Sequence, residues 1–149
     1  MQRPKLLPPH YFAAAIAAMG TLHFLLPLYR WLSPPWTFAG GVLLIVGIAM
    51  SANASGLFTR AQTPVVPFER STALVTAGIF GWTRNPMYLG LIVALAGIAI
   101  VLGTLSPLCV LPVFIQIIRV RFVAGEERFL EGIFGERYLA YKRTVRRWI

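Results

Sequence analysis

The sequence predicts an all-α integral membrane protein: four transmembrane helices plus a cytoplasmic amphipathic C-terminal helix. Three observations carry this. Hydrophobic residues make up 57% of the 149 and charged residues only 13%, against roughly 25% charged in a soluble domain. The apolar residues gather into four runs bounded by prolines, glycines and interfacial aromatics, and mean hydropathy is +0.69. The net charge is +9, and with four spans every Lys and Arg except Arg30 falls on one side. The positive-inside rule makes that side cytoplasmic, so both termini are expected there, in what is read as a bacterial-type inner membrane. The length fits a single domain, residues 1–149.

The elements follow in order. MQRPKLLPPH is a short basic, Pro-rich lead. The first span is expected at about 11–28. Arg3 and Lys5 before an Ala-rich run imitate a signal peptide, but the apolar residues continue through FLLPL without a convincing cleavage site, so the span is expected to be retained. His23 lies inside it. An ionisable group at membrane depth is a functional candidate by default, and a neutral His hydrogen-bonded to a neighbouring helix is the simpler reading. YRWLSPPW is an interfacial turn. The second span, about 37–54, contains Gly40, Gly41 and Gly47, which allow close helix approach. The long polar loop 55–85, with Arg60, Glu69 and Arg70, is expected to be ordered against the membrane surface. The third span, about 87–102, and the fourth, about 105–118, are joined at Gly103–Thr104 as a hairpin, with Pro107 and Pro112 as kink sites. Over 125–149, Phe129, Leu130, Ile133, Phe134, Tyr138, Tyr141, Val145 and Trp148 recur at helical spacing, which predicts a helix over about 126–147. That amphipathic helix, interruptible at Gly135, is expected to lie on the membrane.

Several function classes are disfavoured. High hydrophobicity assigns the basic charge to anionic headgroups and not to nucleic acid. No Glu falls inside an expected span and there is no Asp, which argues against a proton-coupled transporter. Cys109 stands alone in an apolar run. It excludes an intrachain disulfide framework and a cysteine metal cluster, and reads as a small buried hydrophobe. No metal site is expected.

The chemistry concentrates in LVTAGIFGWTRNPMYLG, residues 74–90. Asn85 is a good N-cap and Pro86 suits the first helical position, leaving the amides of Met87 and Tyr88 free to attract an anion. The hairpin should bring Arg84–Tyr88 beside Arg119, Arg121, Glu126 and Glu127. Each has an ordinary reading: a capped membrane helix, snorkelling or anchoring arginines, and acids favoured by a helix dipole. Together they could hold a small zwitterion beside lipid.

LVTAGIFGWTRNPMYLG followed by EERFLEGIFGERYLAYKRTV resembles the isoprenylcysteine carboxyl methyltransferase family, itself similar to the phospholipid N-methyltransferases. The family pattern is LVT-x-G, R-H-P-x-Y-x-G, a helical hairpin, then E-E-x-x-L and F-G-x-x-Y-x-x-Y, and the resemblance covers about residues 60–147. It implies an enzyme that uses S-adenosylmethionine, releases S-adenosylhomocysteine, and methylates a lipophilic acceptor arriving from the bilayer. It implies that Leu74, Val75 and Phe80 line the cofactor pocket, that Asn85, Pro86, Met87 and Tyr88 form the cofactor-binding tetrapeptide, and that Glu126 binds the cofactor beside Glu127. An arginine before the Glu pair would orient the acceptor carboxylate; Arg121 is nearest, and Arg119 is the other candidate. Asn85 stands where the family usually has His, and Ile79 where it often has Pro. Asn hydrogen-bonds but does not titrate near neutral pH. The alternatives are a phospholipid amine N-methyltransferase and a non-catalytic membrane protein of the same fold.

Overall fold

The computed structural model describes residues 6–66 and 71–149. Arg3 and Lys5 of the lead, and Glu69 and Arg70 of the polar loop, lie outside the described residues. Proline punctuates the first helix, α1 (Pro8–Leu25). Its first two positions are prolines, where a missing N–H costs nothing. Pro27 disfavours a helical Leu26, which sits at φ −137°, ψ 61°. The helix therefore begins and ends about three residues before the expected 11–28.

Helix α2 (Phe38–Arg60) runs six residues beyond the expected end at 54. SANASGLFTR is polar enough to leave lipid, yet contains no proline, so polarity does not end the helix. The break comes at Gln62, with φ +51°, and Pro64 follows. The connecting loop is correspondingly shorter than 55–85. Helix α3 (Pro86–Leu102) stops at Gly103, whose φ of +69° is the left-handed conformation favoured after a helix.

The fourth apolar run departs furthest from expectation. A 3₁₀ turn (Ser106–Cys109) leads into α4 (Val110–Ile118), a π-helical turn (Arg119–Val123) and α5 (Ala124–Phe134). These form one rod, Ser106–Phe134, of 29 residues. The expected boundary between 118 and 126 is absent, because two arginines and no proline leave helical backbone intact. Gly135, with φ +50°, makes the break instead. Helix α6 (Glu136–Thr144) follows, and Val145 is extended at φ −117°, ψ 131°. The expected helix 126–147 is thus the end of a rod, a second helix, and an extended strap from Val145.

Among the described residues there is no strand, only an isolated bridge between Arg30 and Thr104. Two helices are long and apolar enough to cross a membrane, Phe38–Arg60 and Ser106–Phe134, and Pro86–Leu102 is a shorter apolar helix. On α2, Val42, Ile45, Val46 and Ile48 point outward uncovered, as expected of a lipid-facing surface. Cys109 is exposed, not buried as the apolar run suggested.

Two kinds of packing hold the helices. Met19 of α1, Leu95 and Ala99 of α3, Phe114 and Ile118 of α4, and Phe122 and Val123 of the π turn form a buried core. Helices α2 and α3 instead meet along glycines. A Cβ on Gly97 would lie 2.5 Å from both the Gly40 carbonyl oxygen and the Leu44 amide nitrogen. Such backbone contact is a membrane-helix solution, where small residues replace the hydrophobic effect as the means of association.

The ends of the bundle differ. At one, Trp31 donates to the Gly103 carbonyl at 3.0 Å, Leu105 to that of Tyr29 at 3.1 Å, and His23 Nδ1 lies 2.8 Å from Thr104 Oγ1. His23 therefore ties α1 to the α3–α4 turn, the simpler of its two readings. At the other end, Leu7–Pro9, the last turns of α2 and the start of α3 converge on one apolar chamber.

Candidate functional site

Beside that chamber lies a narrow cleft with a cavity volume of ≈ 80 Å³. Its floor is the start of α3, its walls are the loop after α2 and the charged end of the fourth rod, and α6 closes over it. Leu74, Val75, Phe80, Asn85, Pro86, Met87, Tyr88, Glu126 and Glu127, all predicted for cofactor binding, line it. Helix order explains this convergence. The α3–α4 hairpin returns the chain to the level of Pro86, and the π turn carries the Glu pair inward.

The electrostatics are built from two carboxylates with different partners. Glu126 accepts a hydrogen bond from the Tyr88 hydroxyl at 3.0 Å. Glu127 is buried and is gripped by Arg147, Nε to Oε1 at 3.0 Å and Nη2 to Oε2 at 2.6 Å. Such a two-pronged pair is the strong geometry for a guanidinium and a carboxylate, and it raises the Arg147 pKa further. Arg84 approaches Glu127 only at 3.4 Å, with its side chain 9% exposed. Its Nε and Nη1 are buried without a hydrogen bond of good geometry, although the guanidinium lies near the Tyr138 hydroxyl and, against the larger effect of burial, favours its phenolate. Unpaired buried donors on a cation are costly, and they lie on a residue lining the cleft.

Helix α6 supplies the cover. Tyr141 donates to the Phe80 carbonyl at 2.6 Å, holding the short 3₁₀ turn Gly78–Gly81 in place, and Phe58 packs edge-on against Phe80 at 5.3 Å. Burial, followed by the negative charge of Glu127, pushes the Tyr138 hydroxyl up to about 12, and burial raises Tyr141 as well. The stripe containing these residues faces protein, not the membrane surface alone.

Asn85 differs from its sequence reading. Its carbonyl accepts the Leu89 amide at 2.9 Å, as a helix start should, but its side chain makes no cap. The carboxamide Nδ2 instead donates to the Arg147 carbonyl at 3.0 Å. The Thr83 hydroxyl donates to the same carbonyl at 3.1 Å, and the Arg84 amide to that of Arg146 at 3.0 Å. Proline at the next position already fixes the first turn, and the strap is the nearer acceptor.

Arg119 and Arg121, predicted to orient the acceptor, are exposed on the π turn and do not line the cleft. Arg84, Tyr138 and Tyr141 do line it, and Arg147 reaches it through Glu127. The tyrosines were visible in the F-G-x-x-Y-x-x-Y pattern. Arg84 stood beside the tetrapeptide, while Arg147 had no signal beyond lying in a basic run.

The cleft pairs acid and cation beside apolar helices long enough to cross a membrane. The chain belongs to the phospholipid methyltransferase family, whose model matches residues 35–137. It is 31% identical over 116 residues to the protein-S-isoprenylcysteine O-methyltransferase of Mus musculus, and 30% identical over the same length to that of Homo sapiens. These matches take in 74% of this chain and 40% of each relative, so the chain spans about two-fifths of their length. An uncharacterized protein of Haemophilus influenzae is 38% identical over 63 residues, 42% of this chain and 100% of that protein. The structure of a eukaryotic intramembrane Ras methyltransferase, isoprenylcysteine carboxyl methyltransferase, superposes with a TM-score of 0.67 at 20% identity. It covers 92% of this chain and 50% of that one, a likeness of fold. The resemblance to the isoprenylcysteine carboxyl methyltransferases read from residues 74–90 and 126–147 stands.

Proposed function

We propose that the chain is an S-adenosylmethionine-dependent methyltransferase, acting on a lipophilic acceptor at the cytoplasmic face of the membrane in the manner of an isoprenylcysteine carboxyl O-methyltransferase. The observation that carries this reading is the pair of buried, unpaired donors, Nε and Nη1, on Arg84, a residue that lines the same cleft as Glu126. The donor is a zwitterionic amino acid joined to a nucleoside, and the side chains present fit it. Arg84 suits the carboxylate, Glu126 the ammonium or ribose hydroxyls, Leu74 and Val75 the adenine, and the Phe80 or Tyr88 ring the sulfonium. When bound, the donor supplies an electrophilic methyl group. The residues position the partners and exclude water, which is much of what an in-line displacement needs. A carboxylate acceptor is already ionised at neutral pH and requires no base. Arg119 and Arg121, outside the cleft, would meet an acceptor headgroup arriving from the lipid side.

The second reading, a phospholipid amine N-methyltransferase, is favoured by the description of the matched family. An amine must first lose a proton, and Glu126 with Tyr88 is the carboxylate–phenol pair available for that. Incubation of the purified protein with methyl-labelled donor and host lipid extract separates the two. An ester releases labelled methanol in alkali, whereas an N-methyl product keeps its label. Glu126→Ala should weaken donor binding roughly ten- to a hundredfold, through loss of a charged acceptor. Calorimetry showing no donor binding by the wild-type protein would overturn the proposal. Binding without turnover on any lipid would favour a non-catalytic member of the fold.

A further inference from the structure

Glu127 has two cationic neighbours and treats them unequally. Arg147 takes both of its oxygens, at 3.0 and 2.6 Å, while Arg84 has one contact at 3.4 Å. Arg84 is the more deeply buried, with its side chain 9% exposed against 36% for Arg147. A carboxylate left alone with Arg84 would be expected to form the two-pronged pair with it. Arg147 prevents this, and its own place is fixed by the strap. The Arg147 carbonyl accepts from Thr83 and Asn85, the Arg146 carbonyl accepts from the Arg84 amide, and Trp148 packs against the buried core.

We infer that Arg147 is a positioning residue: by occupying both oxygens of Glu127, it leaves the Nε and Nη1 donors of Arg84 unpaired and so available to an anionic group bound in the cleft. The inference rests on the donor reading above and adds a residue that touches neither donor nor acceptor. It also gives Asn85 a purpose distinct from capping, since the Asn85 carboxamide helps hold the strap that carries Arg147.

The consequence is specific to ligand charge. In the Arg147→Met variant, Glu127 is expected to turn to Arg84 and form the two-pronged pair through Nη2 and one of the free donors. The cleft then loses its preference for a carboxylate while keeping its contacts to the rest of the ligand. The experiment titrates S-adenosylmethionine and its decarboxylated analogue into wild type, Arg147→Met and Arg147→Lys, each checked for monodispersity and a cooperative melt. The wild type should favour the carboxylate-bearing ligand roughly ten- to a hundredfold. Arg147→Met should bring that ratio close to one, mainly by weakening S-adenosylmethionine. Arg147→Lys, which offers a point charge and no fork, should fall between. A general loss of packing would weaken both ligands alike and leave the ratio intact, and that result overturns the role of Arg147. A wild-type protein that discriminates while Arg147→Met discriminates equally overturns this inference alone. A wild-type protein that binds neither ligand overturns the donor reading and this role with it.

Discussion

Asn85 offers the sharpest test of the site, because its sequence and structural readings predict opposite results. As an N-cap, Asn could be exchanged for Asp at little cost, since the two rank alike as caps. In the structure the side chain is a donor, with Nδ2 3.0 Å from the Arg147 carbonyl. Asn85→Ala removes that donor, but the carbonyl keeps the Thr83 hydroxyl at 3.1 Å, so no acceptor is orphaned. The cost should be about 0.5–1.5 kcal/mol, one neutral hydrogen bond. Asn85→Asp loses the same bond and turns a carboxylate oxygen toward a carbonyl oxygen at a position only 7% exposed, which should cost about 3 kcal/mol or more. Asn85→His restores a ring N–H donor, and should stay within about 1 kcal/mol of wild type if the ring is accommodated. Unfolding in mixed detergent–SDS micelles, followed by tryptophan fluorescence, measures all three. The expected order of stability is wild type, His, Ala, Asp. If Asp equals wild type while Ala is destabilised, the side chain caps α3 and the strap contact contributes nothing.

The remaining predictions address packing, pH and topology. Gly97→Ala places a methyl group 2.5 Å from backbone atoms of Gly40 and Leu44, so α2 must retreat. The expected loss is about 1–3 kcal/mol, reduced by up to about 1 kcal/mol of helix propensity, whereas Gly41→Ala, with nothing within 4 Å, should be neutral or slightly stabilising. Tyr138 is raised from 10.0 to about 12 by burial and then by Glu127. The folded state thus disfavours its phenolate, and the stability it contributes is complete below pH 10 and lost as pH rises toward 12. Tyr138→Phe should remove that part of the alkaline decline, and an unchanged alkaline slope would refute it. Reporter fusions after Ile149 and within residues 29–35 should report opposite sides, the former cytoplasmic. A periplasmic report after Ile149 would reject the orientation.

The helical class and the residues that meet in the candidate cleft were legible for one reason: both are written in local chemistry. Long apolar runs with few charges admit only helices in lipid, and the LVT…RNPMY and EER…Y…Y segments carried their spacing on their face. What sequence reading missed lies in contacts between distant segments. Residues 55–60 look like loop because they are polar, yet nothing in them stops a helix. Residues 119–126 look like a boundary because they are charged, yet the backbone passes through them unbroken. Arg147 lies 20 residues from its carboxylate partner and 62 from Asn85, and on an extended strap no helical periodicity points to either. Arg119 and Arg121 drew attention by proximity in sequence, but the π turn directs them outward.

That π turn has a consequence in terms of descent. It is equivalent to a single residue inserted into an otherwise regular rod. Deleting one residue between Arg119 and Val123 would return that turn to ordinary α-helix and leave the segments on either side in register, whereas the same deletion in the regular stretch Val110–Ile118 would swing everything after it by about 100° around the rod axis. After that second deletion the Glu126 contact to Tyr88 and the Glu127 contact to Arg147 would be lost together. The π turn is therefore the one stretch of this rod where a codon can be lost without turning the paired acids away from the cleft.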